Sequence, residues 1–189
     1  MLVTLYMKPR RITLIALFAA MTAAGSIVKV PLAPVPITLQ SFSVLLAGVI
    51  LGPVEGSISQ VVYVITGLLG LPVFSGGGGI SYIMKPSFGF LLGFMCAPYA
   101  VGLYLEKTAY TKARIFIACL IGTSVIYLLG MPYLAFYLQY ILMKPDAITF
   151  SIKVGMLIFL PGDILKCVII PMVALPIRSM VEGNSIWKK

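Results

Sequence analysis

The sequence predicts an all-α integral membrane protein, a single domain over residues 1–189 with six transmembrane helices in a compact bundle. Of the 189 residues, 60% are hydrophobic and 10% are charged, which is too apolar for a soluble domain. Apolar runs alternate with short links rich in proline, glycine or basic residues. Because the basic residues cluster in those links, the net charge of +9 indicates membrane topology, and we expect no nucleic-acid partner.

The first predicted helix covers residues 12–28 and follows a short basic segment. A cleaved secretory signal has the same layout, but this run is long and every later segment is also membrane-like, so we interpret it as a retained helix. Ala16, Ala20 and Ala24 recur every four residues and form a flat face on which another helix can pack closely. That face predicts either packing inside the bundle or docking of a partner subunit.

A proline loop, residues 29–36, follows the first helix. Its three prolines within six residues exclude a regular helix, so we expect an ordered connection. The second helix is predicted over residues 38–51, with Gln40 near its start, and the third over residues 54–69. A Gly-Pro pair separates the two helices, because both residue types disfavour continuation of a helix.

A glycine loop, residues 70–86, comes next and contains four consecutive glycines at residues 76–79. The pattern of a phosphate-binding loop is missing and no strand precedes the glycines, so nucleotide binding is not indicated here. A flexible linker is one interpretation of such a run. The flanking side chains Phe74, Tyr82 and Ile83 favour a structured lid instead.

The last three helices are predicted over residues 87–105, 115–143 and 149–178, the second of them broken near residues 130–132 by a Gly-Met-Pro sequence. At about 1.5 Å per residue, the last helix is longer than a bilayer core requires. We therefore expect it to be tilted, kinked at Pro161 or projecting from the membrane.

Asp163 and Lys166 lie three residues apart within that last apolar run, directly after Pro161 and Gly162. At this spacing the two side chains share one face of a helix. An ionised pair is costly in lipid, so it normally faces the bundle interior or a cavity and marks a substrate or ion path. The pair therefore predicts a buried site in the lower part of a cavity.

The distribution of basic residues predicts the orientation of the bundle. Six crossings place both termini on one side, with nine of the fourteen basic residues; four lie on the other side, and Lys166 is within the membrane. By the positive-inside rule we expect both termini to be cytoplasmic. We expect the membrane to be a bacterial or archaeal plasma membrane. The proline loop, the glycine loop and the turn at Lys144 then cover the outer end of the last helix, which predicts a pocket open to the outer side.

Four segments resemble the BioY family, in the same order along the chain. They read Pro-Val-Pro-Ile-Thr-Leu-Gln at 34–40, Leu-Ala-Gly leading to Leu-Gly-Pro at 46–53, Gly-Leu-Pro-Val-Phe-Ser-Gly-Gly at 70–77, and Leu-Pro-Gly-Asp-Ile-Leu-Lys at 160–166. Members of this family are the biotin-specific substrate-binding (S) components of energy-coupling factor (ECF) transporters. The resemblance implies high-affinity biotin capture and uptake, from the outer side of a six-helix bundle.

The same resemblance implies that Asp163 and Lys166 contact biotin. It also implies that the face formed by Ala16, Ala20 and Ala24 docks on a transmembrane coupling subunit, which works with two cytoplasmic ATPases. The chain has no Walker motif of its own, so an ATP-driven step requires those partners.

The glycine loop departs from the family pattern at Gly78, where members often have a polar residue that touches the biotin head group. Ser75, Ser81 and Tyr82 are candidates to replace that contact. Phe90 stands where the family often has a tyrosine, so one hydroxyl is lost. The biotin-binding residues predicted in this way are Gln40, Phe74, Ser75, Gly78, Ser81, Tyr82, Phe90, Asp163 and Lys166.

Biotin itself suits these residue types. Its ureido ring offers two N–H donors and a carbonyl, and the molecule carries an apolar bicycle, an apolar chain and a carboxylate. A buried carboxylate can accept from N–H groups, and an ammonium can donate to a carbonyl or carboxylate. Aromatic side chains are expected to form the apolar wall. These are Phe74, Tyr82, Phe88 and Phe90.

Two other functional classes, a secondary transporter and an enzyme, fit the sequence less well. The alternative is a proton-coupled secondary transporter of a small carboxylate-bearing vitamin, which acts alone and has Asp163 as its protonation site. Such transporters usually have two repeated halves, and the sequence shows no internal repeat. An enzyme is not indicated, because histidine is absent and the five acids are dispersed. The three cysteines are isolated, so we expect neither a metal site nor a cofactor.

Overall fold

A computed structural model describes residues 9–182, and these are almost entirely helical. The two ends of the chain, whose cytoplasmic placement the charges predict, lie outside the described residues. Within residues 9–182, four helical segments are long and apolar enough to cross a membrane, and Gln40–Leu51 is a shorter apolar helix. The class of all-helical, multi-pass membrane protein is therefore confirmed. The helices are α1 (Pro9–Ile27), α2 (Gln40–Leu51), α3 (Pro53–Leu68), α4 (Phe88–Glu106), α5 (Lys112–Tyr140), α6 (Ala147–Ile152) and α7 (Leu160–Glu182).

Helix α4 is the central element of the bundle. In its most apolar membrane-length window 61% of the residues are buried, against 33% or less in the other three spans, and it packs against α2, α3 and α5. Close approach depends on small residues. A Cβ atom at Gly102 of α4 would lie only 2.2 Å from the backbone nitrogen of Pro53, so a larger side chain there would force the helices apart.

The break predicted near residues 130–132 is wrong, because α5 runs without interruption from Lys112 to Tyr140 with Pro132 inside it. Proline is tolerated within membrane helices because neighbouring groups satisfy the freed backbone carbonyl. Gly130 serves packing rather than a bend, since a Cβ atom there would lie 2.5 Å from the Phe90 ring of α4.

The single helix predicted over residues 149–178 is also wrong in its continuity. The chain forms α6, then a π-helical turn at Lys153–Leu157, and then α7 from Leu160. The irregular backbone precedes Pro161, which has no N–H to donate to the carbonyl four residues earlier and whose ring crowds that carbonyl. Pro161 therefore lies in the first turn of α7, where proline is well tolerated. Counted as one segment, Ala147–Arg178, α6 and α7 bring the main helical segments within residues 9–182 to six, which fits the number predicted.

The proline loop is ordered, as the sequence predicts. Two-residue strands, β1 (Lys29–Val30) and β2 (Ile37–Thr38), pair in antiparallel register across it. The backbone N–H of Leu39 then donates to the carbonyls of Gly25 and Val28 at 3.1 and 3.2 Å. The start of α2 is thereby tied to the end of α1.

The glycine loop is ordered as well. Phe74 and Gly77 exchange two backbone hydrogen bonds at 2.9 and 3.1 Å, and the N–H of Gly79 donates to the carbonyl of Gly67 in α3 at 2.7 Å. A 3-10 helix at Ile80–Met84 completes the loop. These bonds favour the structured lid over the flexible linker.

Replacing Gly102 with alanine should lower stability by about 1–3 kcal/mol, because the new methyl group overlaps the backbone of Pro53. The measurement is the thermal unfolding midpoint of the purified protein in detergent. Gly162→Ala is the matched control, since Gly162 is also helical and has nothing within 4 Å of a Cβ atom. Equal midpoints for the two variants would contradict close packing at Gly102.

Candidate ligand-binding site

A cavity of about 60 Å³ lies under the proline and glycine loops and is walled by α2, α4, α5 and α7. Six of the nine residues predicted from the sequence line it: Gln40, Ser75, Tyr82, Phe90, Asp163 and Lys166. The other lining residues are Val35, Pro36, Thr38, Ser41, Ser87, Leu91, Phe94, Ile126, Tyr127 and Phe159.

The first turns of α7 bring Asp163 and Lys166 together. Lys166 Nζ lies 2.9 Å from Asp163 Oδ1, and the two side chains are only 10% and 13% exposed. The shared helical face predicted from their spacing is therefore present. At this depth the ion pair needs further hydrogen bonds to offset its lost hydration.

Lys166 uses all three of its ammonium hydrogens within the protein. Besides Asp163 it donates to the backbone carbonyl of Thr38 and to Ser41 Oγ, both at 2.8 Å. An ammonium group has three donors and no acceptor. A ligand can therefore bind to Lys166 only by replacing one of these partners. In this structure the hydrogen bonds of Lys166 connect α7 to the start of α2.

Asp163 accepts hydrogen bonds at both carboxylate oxygens. Oδ1 accepts from Lys166 and also from Ser41 Oγ at 3.3 Å, while Oδ2 accepts from the hydroxyl of Tyr127 at 2.5 Å. Each carboxylate oxygen can accept about two hydrogen bonds. Oδ2 therefore has capacity for one more donor, and it is the atom of the pair best suited to accept from a ligand.

Ser41 and Tyr127 were missed by the sequence analysis. Ser41 directly follows Gln40, so the segment 34–40 pointed to its neighbourhood. Tyr127 carries no signal of its own, since it is one of ten tyrosines and lies in an apolar helix far from Asp163 along the chain.

The glycine loop adds a row of hydroxyl groups to the cavity wall. Tyr82 OH lies 3.2 Å from Ser75 Oγ and 3.0 Å from Ser87 Oγ. Lys29 of the proline loop donates to the backbone carbonyl of Ser75, which links the two loops above the cavity. Gln40 is held by hydrogen bonds with Tyr63 and Thr38.

Three of the predicted residues do not line the cavity. Phe74 is 3% exposed. Its ring packs edge-on against Tyr63, with 5.4 Å between centroids, and in a tilted arrangement against Tyr82 at 4.5 Å, so it belongs to the core. Gly78 has no room for a side chain, because a Cβ atom would lie 2.1 Å from the carbonyl oxygen of Leu71. Ser81 is exposed on the 3-10 helix.

The apolar part of the wall is aromatic and aliphatic. Phe90 is joined by Phe94 and Phe159, with Leu91 and Ile126 between them. Phe88, which the sequence also placed in this wall, instead packs against Tyr133 with 5.9 Å between ring centroids. The cavity wall therefore combines a carboxylate, an ammonium and several hydroxyl groups with an apolar surface. Such a wall suits a ligand that has a few polar groups on an apolar body.

The alanine face of α1 points away from the bundle. Ala16, Ala20 and Ala24 are exposed, whereas Phe18 and Thr22 on the other side of the helix are buried. Packing inside the bundle, the first of the two interpretations, is therefore wrong. The described residues contain no cluster of three or more residues suited to hold a metal ion.

Comparison with known proteins identifies the family. The model of the BioY family matches residues 2–183. A protein named "Probable biotin transporter BioY" from Pyrococcus horikoshii is 37% identical over 95% of this chain and 100% of its own length. One of the same name from Lysinibacillus sphaericus is 46% identical over 65% of this chain and 63% of its own length. A crystal structure of the S-component for biotin from an ECF-type ABC transporter superposes with a TM-score of 0.79, at 27% identity, over 91% of this chain and 92% of that one.

Replacing Lys166 with methionine should destabilise the protein by about 3–5 kcal/mol, because the Asp163 carboxylate is left buried without its cation. The double variant Lys166→Met with Asp163→Asn should recover part of this loss, since no buried charge remains. Thermal unfolding in detergent measures both. A double variant less stable than Lys166→Met alone would show that the carboxylate is not held by the ion pair.

Proposed function

The chain belongs to the BioY family, and we propose that it captures biotin in the cavity around Asp163 and Lys166 as the substrate-binding component of an ECF-type transporter. The observation that carries this proposal is the buried ion pair at the edge of an aromatic cavity, in a chain that matches biotin transporters over nearly its whole length. The protein therefore acts in biotin uptake across a membrane.

The hydrogen bonds that the site can still form, or can exchange, match the polar groups of biotin. Asp163 Oδ2 can accept an N–H of the ureido ring. Lys166 can donate to a carbonyl or carboxylate oxygen of the ligand, on releasing the carbonyl of Thr38 or the hydroxyl of Ser41. The ring system and chain then pack against Phe90 and the neighbouring apolar side chains.

The cavity is small for its proposed ligand. A cavity of about 60 Å³ is well below the roughly 300–1,000 Å³ of typical small-molecule sites, so biotin enters only when the covering loops move or side chains rearrange. The link from Lys29 to the Ser75 carbonyl joins the two covering loops, and it must open for a path from the outer side.

The proposed orientation follows from charge. Both termini are cytoplasmic and the protein lies in the plasma membrane, because the side with more basic residues remains inside. The proline and glycine loops then face outward above the cavity. This places the ligand site on the side from which biotin is taken up.

The exposed alanine face of α1 is the proposed docking surface for the coupling transmembrane subunit, which works with two cytoplasmic ATPases. Small residues let another helix approach closely within a membrane, and Ala16, Ala20 and Ala24 are left exposed by residues 9–182 of the chain. The solved relative is itself a component of an ECF-type transporter, which supports such partners.

A proton-coupled mechanism acting alone is not proposed. Asp163 is bonded to Lys166, Ser41 and Tyr127, so it is a paired carboxylate rather than an isolated protonation site.

Asp163→Asn should weaken biotin binding about tenfold or more, because the variant loses a charged acceptor for the ligand. Equilibrium binding of labelled biotin to the purified protein measures the effect. Asp146→Asn is the matched control, since it makes the same change at an exposed turn before α6. If both variants bind biotin like the unmodified protein, Asp163 is not part of the site.

Ala20→Trp should leave biotin binding unchanged but prevent co-purification with a coupling subunit, because the indole holds the facing helix away. Ile117→Trp is the control: it changes another exposed residue, 40% accessible, on α5, whereas α1 packs mainly against α2 and α3. Retained co-purification of Ala20→Trp would exclude the alanine face as the docking surface.

A further inference from the structure

A second cavity, a groove of about 650 Å³, lies between α5 and α7 beside the ligand cavity. Leu128 and Ile164 line it and are 72% and 44% exposed on the outside of the bundle. Both helices belong to segments that are apolar and long enough to cross the membrane. The groove therefore opens toward the hydrocarbon of the bilayer, whereas the ligand cavity lies inside the bundle.

Two residues lie between the ligand cavity and the groove. Tyr127 and Asp163 line both the ligand cavity and the groove, and no other residue in the described part of the chain does so. Their side chains are joined by the hydrogen bond of 2.5 Å from the Tyr127 hydroxyl to Asp163 Oδ2. This contact lies in the partition between the ligand cavity and the membrane-facing groove.

We propose that Tyr127 is a positioning residue for biotin recognition, which acts by holding the Asp163 carboxylate in place at the wall of the cavity. The inference rests on the proposed function, because it assigns Asp163 as an acceptor for the ligand. Lys166 and Ser41 bind one carboxylate oxygen and Tyr127 binds the other, so the carboxylate is held at both ends. The remaining acceptor site on Oδ2 is thereby fixed before the ligand arrives, which lowers the cost of ordering on binding.

The hydrogen bond from Tyr127 also stabilises the charge of the Asp163 carboxylate beside the apolar groove. Without the phenol hydroxyl, Oδ2 would face the apolar groove with no donor from α5, and a carboxylate oxygen without a hydrogen bond in such surroundings is disfavoured. It would then turn toward Lys166 and away from the ligand.

The other hydroxyl groups on this side of α5 cannot replace Tyr127. Ser124 Oγ donates to the carbonyl of Leu120 in its own helix at 2.9 Å, and Thr123 Oγ1 lies 3.6 Å from Cys167 Sγ. Among the described residues, Tyr127 is the one side chain of α5 that hydrogen-bonds to the ion pair.

The test is a double-mutant cycle on biotin binding with the purified full chain, using Tyr127→Phe, Asp163→Asn and the two together. Tyr127→Phe should raise the Kd for labelled biotin about tenfold, the effect of removing a hydrogen bond to a charged group. The double variant should bind like Asp163→Asn alone, because Tyr127 acts through that carboxylate. Ser124→Ala, which removes a hydroxyl from the groove but not from the partition, should bind like the unmodified protein.

Two results would overturn the inference while biotin still binds to the unmodified protein. Either Tyr127→Phe binds biotin with unchanged Kd, or it causes the same loss in the Asp163→Asn background, which would mean that the ring acts through packing. Failure of the unmodified protein to bind biotin is a different result, and it would overturn the proposed function itself.

Discussion

The ion pair between Asp163 and Lys166 is the interaction on which the rest of the site depends. A buried pair of charges is tolerated only when its remaining donors and acceptors are satisfied. Here the partners come from three elements: the Thr38 carbonyl from β2, Ser41 from α2 and Tyr127 from α5. Satisfying the pair therefore draws α2, α5 and α7 around one cavity.

This arrangement links ligand binding to the loops above it. Lys166 has no unused donor, so in the proposed site biotin would reach the ammonium only by displacing one of its partners. Two of these partners, the Thr38 carbonyl and Ser41, lie at the junction of the proline loop and α2. The same junction is tied to the end of α1 by the N–H of Leu39. The cavity, the covering loop and the helix that carries the alanine face are thus connected by consecutive hydrogen bonds.

Much of this could be predicted from the sequence, and the failures have physical causes. Composition and helical spacing gave the membrane class and the shared face of Asp163 and Lys166, since both depend on local pattern. Tyr127 was missed because its partner is 36 positions away. Phe74 does not line the cavity because the packed loop turns its ring onto Gly67, and α5, which packs against α4, continues through Pro132 without the expected break. Each of these three features depends on tertiary contacts, which a local sequence pattern does not show.

The central claim is that biotin binds at the ion pair, and the structure of the chain with biotin bound tests it most directly. We expect biotin in the enlarged cavity, within hydrogen-bonding distance of Asp163, with Lys166 having exchanged one of its three partners for an oxygen of the ligand. Biotin bound elsewhere on the protein, or bound while Lys166 keeps the Thr38 carbonyl, Ser41 and Asp163 as partners, would contradict the account.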